Sequence, residues 1–233
     1  MPEPAAAARI AFFGGTFDPP HLGHLAVARA ARSALALDQV LFAPVGAQPL
    51  KPQGATAPFA DRVAMTRLAI AGDPAFAVSM ADAPAADGAP NYTIEALMRL
   101  RSDLPPDAQL FCLLGADSFL TLHHWHGAAE IPFVASLIVA SRPGEDLDRI
   151  ATALPAGLSI EPVPGGDCPQ RTEELRCFRL RNSAGATAPF FLLPGLNVEI
   201  SATAIRQHAG GSPDSAVLPP AVAEYIRKHR LYG

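Results

Sequence analysis

The segment IAFFGGTFDPPHLGH, residues 10–24, organises the rest of the chain. Apolar and aromatic residues lead into a pair of glycines, and the alanine-rich stretch that follows, residues 22–37, has the composition of a helix. The predicted order is a strand, a tight turn and a helix. In such a unit the helix start offers unpaired N–H groups and the positive end of its dipole to an anion. His21 and His24 would share one face of the first helical turn, so the segment predicts a polyphosphate site.

Apolar runs and amphipathic stretches alternate along the rest of the chain. The predicted strands are residues 40–44, 76–80, 109–114, 136–141 and 190–193, and the predicted helices are residues 58–71, 91–101 and 218–232. This alternation predicts the α/β class: a single Rossmann-like domain over residues 1–233, with a mainly parallel sheet flanked by helices. In the helix at residues 58–71, we expect Arg62 and Arg67 to point to solvent.

Residues 145–188 are the least regular part of the sequence. They are rich in proline, glycine and charge, and a strand signal occurs at residues 158–163. We predict an insertion or irregular segment here. The sequence does not distinguish disorder from a role in subunit contacts, so a homo-oligomer remains open.

Composition excludes several classes of function. The formal net charge of −4 gives no general attraction to nucleic acid or to an anionic membrane, so neither is expected as a partner. No apolar run has the length of a membrane span, and residues 1–9 lack the apolar stretch of a signal peptide. The three cysteines have no C-x-x-C spacing. We expect a soluble, cytoplasmic protein.

A second motif, VEISATAIR, occupies residues 198–206. Ser201 is expected to cap a helix that begins at Ala202. The hydroxyl of Thr203 and the guanidinium of Arg206 would then lie three residues apart on one side of that helix, beside its free N–H groups. Such a cluster suits the β- and γ-phosphates of a nucleotide. Taken alone, the same pattern would also fit an ordinary capped amphipathic helix.

The first segment resembles the GG(S/T)FDPxHxGH signature of the nucleotidyltransferases related to nicotinate-nucleotide adenylyltransferase. Residues 200–206 resemble the ISxTxIR signature of the same family. Neither a G-x-G-x-x-G fingerprint nor a P-loop follows the glycine pair. The resemblance covers nearly the whole chain except residues 145–188. It implies transfer of the adenylyl group of ATP to nicotinate mononucleotide, giving deamido-NAD and pyrophosphate in NAD biosynthesis.

The resemblance also implies an ATP site. His21 and His24 would bind the triphosphate and stabilise its transition state, and Arg206 would hold the leaving pyrophosphate. The other residues assigned to ATP are Gly14, Gly15, Thr16, Phe17, Asp18, Asp117, Ser201 and Thr203. The first four would make close backbone contacts, and Asp117 would accept hydrogen bonds from a ribose hydroxyl. An aspartate at the N-cap of a helix would explain Asp117 equally well.

Four residues are assigned to nicotinate mononucleotide by the resemblance. Trp125 would stack on the pyridine ring, Thr93 would lie near the nicotinate group, and Arg142 would meet a carboxylate or a phosphate. Lys51 would lie near the phosphates of the substrates, although Leu50 replaces the histidine that usually precedes it. Thr93 as a helix cap, Trp125 as a core residue and Lys51 as a solvated lysine are the alternatives.

The implied reaction needs little from the protein beyond positioning. The nucleophile is the 5′-phosphate of the mononucleotide, which is already ionised, so no general base is required. Mg²⁺ is expected to arrive on the ATP phosphates rather than in a cage of protein ligands. The HHWH stretch at residues 123–126 could suggest a metal site, but its spacings do not converge easily on one ion.

Three alternatives remain open. The acceptor could be nicotinamide mononucleotide or phosphopantetheine, because the HxGH motif is shared among these enzymes. A non-catalytic nucleotide-binding protein on the same fold would be expected to lack a histidine or to have a broken second motif. An RNA-ligating relative with an HIGH-like motif would need a longer chain and an RNA-binding surface.

Overall fold

The structure is a computed structural model that describes residues 7–50, 54–141, 150, 152–163, 175–193, 200–208 and 216–233. Lys51 and Arg142 lie outside these residues. Eight strands occur in the described part of the chain: β1 (Arg9–Gly15), β2 (Gln39–Pro44), β3 (Phe76–Val78), β4 (Gln109–Gly115), β5 (Ser136–Ala140), β6 (Leu158–Pro162), β7 (Arg176–Asn182) and β8 (Thr187–Leu193).

All eight strands form one sheet in the order β3-β2-β1-β4-β5-β8-β7-β6. In this order the first six strands, β3 through β8, are parallel to one another, whereas β7 is antiparallel to both β8 and β6. The order reverses between β1 and β4, and at such a point a crevice opens beyond the carboxyl ends of the strands. The predicted α/β class with a mainly parallel sheet is confirmed.

The helices cover both faces of the sheet. They are α1 (Leu22–Leu35), α2 (Phe59–Ile70), α3 (Thr93–Asp103), α4 (Ala116–Leu120), α5 (Ile131–Val134), α6 (Ala202–His208) and α7 (Pro220–His229), with a 3₁₀ turn at Leu122–His124. α1 ends earlier than predicted because Ala36 takes a left-handed conformation, with φ 46°, and donates to the Arg32 carbonyl. None of the helices in the described residues is long and apolar enough to cross a membrane.

Adjacent side chains of β1 point to opposite faces of the sheet. Phe13 packs with α1 in one core cluster, and Phe12 packs with Leu97 of α3 in the other. Burial on both faces explains why the central strands are apolar at nearly every position. A third cluster joins α2 to α7 and to Ile205 of the second motif, and it contains Met65 and Val222.

The segment predicted to be irregular, residues 145–188, contributes regular structure to the sheet. β6, β7 and the first residues of β8 fall within it and form an antiparallel edge. In β7 the run Phe178-Arg179-Leu180-Arg181 alternates between apolar and basic residues, which is typical of a strand with one covered face. Arg181 pairs across the strands with Glu161 at 3.2 Å.

Candidate active site

The carboxyl ends of β1, β4 and β5 open into one cavity of about 810 Å³, which is large enough for a nucleotide and a second ligand. The cavity brings together both sequence motifs. The predicted site residues that line it are Gly14, Gly15, Thr16, Phe17, Asp18, His21, His24, Thr93, Asp117, Trp125, Ser201, Thr203 and Arg206.

The glycine pair provides room for an aromatic ring. Phe17 has φ 48°, and its buried side chain lies under the turn, so that a Cβ on Gly15 would stand 3.0 Å from the Phe17 Cζ atom. A Cβ on Gly14 would likewise stand 2.8 Å from the Cε1 atom of the Phe12 ring. A side chain at either glycine would force these rings to move. The turn therefore depends on small residues for space.

His21 and His24 form one unit at the start of α1. His21 is the N-cap residue, and the two rings stack with their centroids 3.7 Å apart. The Nδ1 atom of His24 accepts a hydrogen bond from the backbone N–H of His21 at 3.2 Å. A neutral imidazole has one donor and one acceptor, so the proton of His24 lies on Nε2. The Nε2–H group is therefore free to donate a hydrogen bond to a phosphate oxygen.

Both histidines are held in the neutral state. Burial lowers the pKa of His21 to about 4. The pKa of His24 lies well below its usual 6.5, mainly because the ring is buried and to a lesser extent because of the charge of a protonated His21. The Nδ1 atom of His21 is buried and has no hydrogen-bond partner among the described residues. A bound polyphosphate would supply the negative charge that favours protonation of these rings.

Asp18, which the resemblance assigns to ATP, lines the cavity but is held by several groups of the protein. The residue is only 3% exposed. One carboxylate oxygen accepts from the N–H of Thr56 at 2.6 Å, and the other accepts from the N–H of Ala57 at 3.0 Å and from the hydroxyl of Tyr232 at 2.7 Å. Because both oxygens already have protein donors, the geometry favours a positioning role for Asp18.

The second motif meets the first through Arg206. Its Nη1 donates to the backbone carbonyl of Asp18 at 2.8 Å, across 188 residues of sequence, and its Nη2 donates to the Thr203 hydroxyl at 3.2 Å. The carbonyl of Ser201 accepts the N–H of Ile205 at 3.0 Å, so α6 begins as the sequence predicts. A guanidinium has five donor hydrogens, and these two bonds leave others for an anion.

Arg62 is a residue whose position the sequence analysis predicted wrongly. It is 2% exposed, not solvated, and it donates to the carbonyls of Thr16 at 2.7 Å, Val45 at 2.8 Å and Ala57 at 3.3 Å. It therefore joins the first motif to both ends of the connection between β2 and α2. No local pattern of the sequence marks this burial, because the three carbonyls that accept from Arg62 belong to other segments of the chain. Arg67 is exposed, as expected.

Thr93 and Trp125 lie at the other end of the cavity. Thr93 is the first residue of α3, and its predecessor Tyr92 is the N-cap, with no side-chain capping bond. The interpretation of Thr93 as a cap therefore fails. Trp125 lines the cavity and also packs against the core. The ring of His126 lies 4.5 Å from that of Tyr92.

Asn91 and Asp82 are two buried polar residues in the cavity wall that the sequence analysis did not select. The Asn91 amide accepts from Ala47 and donates to Ala83, both at 2.8 Å, and so ties two loops together. Asp82 is 3% exposed, and its Oδ1 has no hydrogen-bond partner among the described residues. Burial raises its pKa to about 7, although Arg99 and Asn91 oppose the shift.

Asp117 is exposed in the first turn of α4 and lines the cavity, whereas the N-cap of this helix is Gly115. The alternative of an N-cap aspartate is therefore wrong. In the HHWH stretch, the rings of His123 and His124 are 3.8 Å apart. Among the residues that the structure describes, no group of three His, Cys, Asp or Glu side chains could hold a metal ion.

A mainly parallel sheet has a glycine turn and two histidines at a helix start beside its switch point, which is where α/β proteins bind nucleotides. This arrangement agrees with the nucleotidyltransferase class. The cytidylyltransferase-like family matches residues 12–208. The chain belongs to this family and, within it, to the nicotinate-nucleotide adenylyltransferases, as its relatives indicate.

Relatives of similar length carry the name probable nicotinate-nucleotide adenylyltransferase. The protein of Laribacter hongkongensis is 39% identical over 96% of this chain and 94% of its own length. That of Chromobacterium violaceum is 37% identical over 97% and 99%. That of Geobacter metallireducens is 35% identical over 96% and 98%. The resemblance stated from the motifs is confirmed.

Solved structures share the fold. Nicotinic acid mononucleotide adenylyltransferase of Plasmodium falciparum, complexed with NaAD, superposes with a TM-score of 0.68 over 97% of each chain, at 14% identity. The same protein complexed with APC gives a TM-score of 0.66 at the same coverage and identity. At this level of identity the likeness concerns the fold.

Proposed function

We propose that this protein transfers the adenylyl group of ATP to nicotinate mononucleotide, releasing pyrophosphate and forming deamido-NAD. The observation that carries the proposal is the hydrogen bond from Arg206 to the Asp18 carbonyl, which joins the two motifs. Both of these residues line the same cavity as His21 and His24. The names of the relatives support the same reaction.

The chemistry is an in-line displacement at the α-phosphorus of ATP. A 5′-phosphate oxygen of the mononucleotide forms the new P–O bond, and the bond from the α-phosphorus to the oxygen bridging to the β-phosphate breaks. The electron pair leaves with pyrophosphate. Because the nucleophile is already an anion, the protein needs to align two polyanions and offset the charge that develops. Mg²⁺ enters as part of the substrate MgATP.

His24 uses its Nε2–H to bind the phosphoryl oxygens in the transition state, and His21 lies beside it on the same phosphates. Ser201, Thr203 and Arg206 hold the leaving pyrophosphate. Backbone atoms of Gly14, Gly15, Thr16 and Phe17 lie against the nucleotide, and Asp117 accepts from its ribose. These assignments follow the cavity geometry and the charge of the substrates.

Trp125 stacks on the pyridine ring, and Thr93 lies near its carboxylate. The assignments of Lys51 and Arg142 to the mononucleotide, the cytoplasmic location and a homo-oligomer stay predictions.

Pyrophosphate release from MgATP tests the proposal, with nicotinate mononucleotide, nicotinamide mononucleotide and phosphopantetheine offered separately. We expect release with the nicotinate substrate to dominate. If release with another acceptor dominated, the proposed use of ATP would stand, but nicotinate mononucleotide would be wrong as the acceptor. No release with any acceptor, despite ATP binding, would identify a nucleotide-binding protein without this activity.

A further inference from the structure

The end of the chain returns to the first motif. α7 ends at His229, Arg230 takes φ 52°, and the N–H of Leu231 donates to the Ile226 carbonyl at 3.1 Å. This turn brings the half-buried Tyr232 to Asp18, where its hydroxyl donates to Oδ1 at 2.7 Å. Burial raises the pKa of Tyr232, so the hydroxyl stays protonated and remains a donor.

The same C-terminal segment contacts the first motif a second time. The backbone N–H of Leu22, at the start of α1, donates to the Val217 carbonyl at 2.9 Å. This N–H belongs to the first turn of the helix and has no partner within α1. Val217 and Tyr232 therefore anchor the segment on either side of His21.

The Asp18 carboxylate faces a competing partner. Its Oδ2 atom lies 4.0 Å from Nη1 of Arg206, which is longer than a direct hydrogen bond. The oxygens of this carboxylate accept hydrogen bonds from Tyr232 and from two backbone N–H groups. If the carboxylate moved to pair directly with the guanidinium, it would offset the positive charge that a phosphate needs.

We propose that Tyr232 is a positioning residue for ATP: its hydroxyl holds the Asp18 carboxylate away from Arg206 and keeps the guanidinium available for the phosphates. Tyr232 does not line the cavity that the described residues form, so it acts through Asp18. The inference rests on the proposed function, because it assigns Arg206 to the triphosphate.

A matched control is present in the same segment. The hydroxyl of Tyr225 in α7 donates to Oδ1 of Asp61 in α2 at 2.8 Å. Tyr225→Phe thus removes a tyrosine–aspartate hydrogen bond of the same kind from the same part of the chain. Neither Tyr225 nor Asp61 lines the cavity. Any effect of Tyr232→Phe beyond that of Tyr225→Phe reports on the first motif.

The test compares pyrophosphate release by wild type, Tyr232→Phe and Tyr225→Phe. ATP is varied at saturating nicotinate mononucleotide, and nicotinate mononucleotide is then varied at saturating ATP. We expect Tyr232→Phe to raise KM for ATP about tenfold and to leave KM for the mononucleotide unchanged, because a hydrogen bond to a charged group is lost. Tyr225→Phe should change neither KM. An unchanged KM for ATP in Tyr232→Phe, or the same increase in both variants, would overturn the inference.

A binding measurement separates this result from failure of the proposed function. If wild type releases no pyrophosphate, the reaction is wrong, but titration with a fluorescent ATP analogue still compares the variants. Weaker binding by Tyr232→Phe than by Tyr225→Phe would support the positioning role. Equal binding by both variants would overturn it.

Discussion

The rings of His21 and His24 stack with centroids 3.7 Å apart, and the charge of a protonated His21 adds to burial in lowering the pKa of His24. Two stacked imidazolium ions without an anion would repel each other in a buried site. The pair is therefore neutral before a substrate binds and is poised to donate hydrogen bonds to phosphate. Its chemistry and its effect on stability can be tested separately.

Replacing His24 with alanine is expected to lower kcat by about 10²–10³-fold, because it removes a donor to the charge that develops on the α-phosphoryl group. ATP binding should change much less. Steady-state pyrophosphate release, combined with ATP titration, measures both quantities. His123→Ala is the control, because His123 is exposed and does not line the cavity. Normal turnover by His24→Ala would contradict the transition-state role.

Acid is expected to destabilise the protein through His21. Its pKa is about 4 in the folded state, against 6.5 as the ordinary value, so the unfolded chain binds the proton first as the pH falls. The free energy of unfolding should therefore fall between about pH 6.5 and pH 4, by roughly 1.4 kcal/mol per pH unit. Urea unfolding of wild type and His21→Gln at several pH values measures the effect. The variant should lose this part of the pH dependence, and identical slopes would contradict the prediction.

Asp82 should give the free energy of unfolding a pH dependence opposite in sign to that of His21. Its folded pKa is about 7 and its ordinary value is 3.8, so the folded state binds the extra proton between these values. The contribution of Asp82 to stability should therefore decline as the pH rises from about 4 to 7, by roughly 1.4 kcal/mol per unit. Asp82→Asn is neutral throughout, so its stability relative to wild type should increase over this range. A difference that stays constant with pH would disprove this assignment.

Arg62→Gln is expected to cost at least about 3 kcal/mol of unfolding free energy, because buried carbonyls would lose their donors. The matched variant Arg67→Gln changes an exposed arginine of the same helix and should stay within about 0.5 kcal/mol of wild type. Chemical denaturation of both variants makes the comparison. Equal stability of the two would mean that the three carbonyl contacts of Arg62 contribute little.

Much of the architecture is encoded by contiguous residues. The strand, turn and helix of residues 10–24 were predictable because apolar periodicity, paired glycines and a helix start are local signals. The same holds for α2, α3, α7 and the central strands, whose ends differ from the predictions by a few residues. β7 was not predicted, because it lies within residues 145–188, where frequent proline, glycine and charged residues indicate an irregular segment.

Buried polar residues, in contrast, depend on partners that no local pattern contains. Asp18 was predictable as part of a motif, but its partners Thr56 and Tyr232 are 38 and 214 residues away. Arg62 reaches Thr16 across 46 residues. A charged side chain can be buried only where distant groups satisfy its hydrogen bonds, so its place follows from the packing of the whole chain. Sequence patterns thus determined the sheet, the helices and the two motifs, whereas tertiary contacts determined how the motifs are held together.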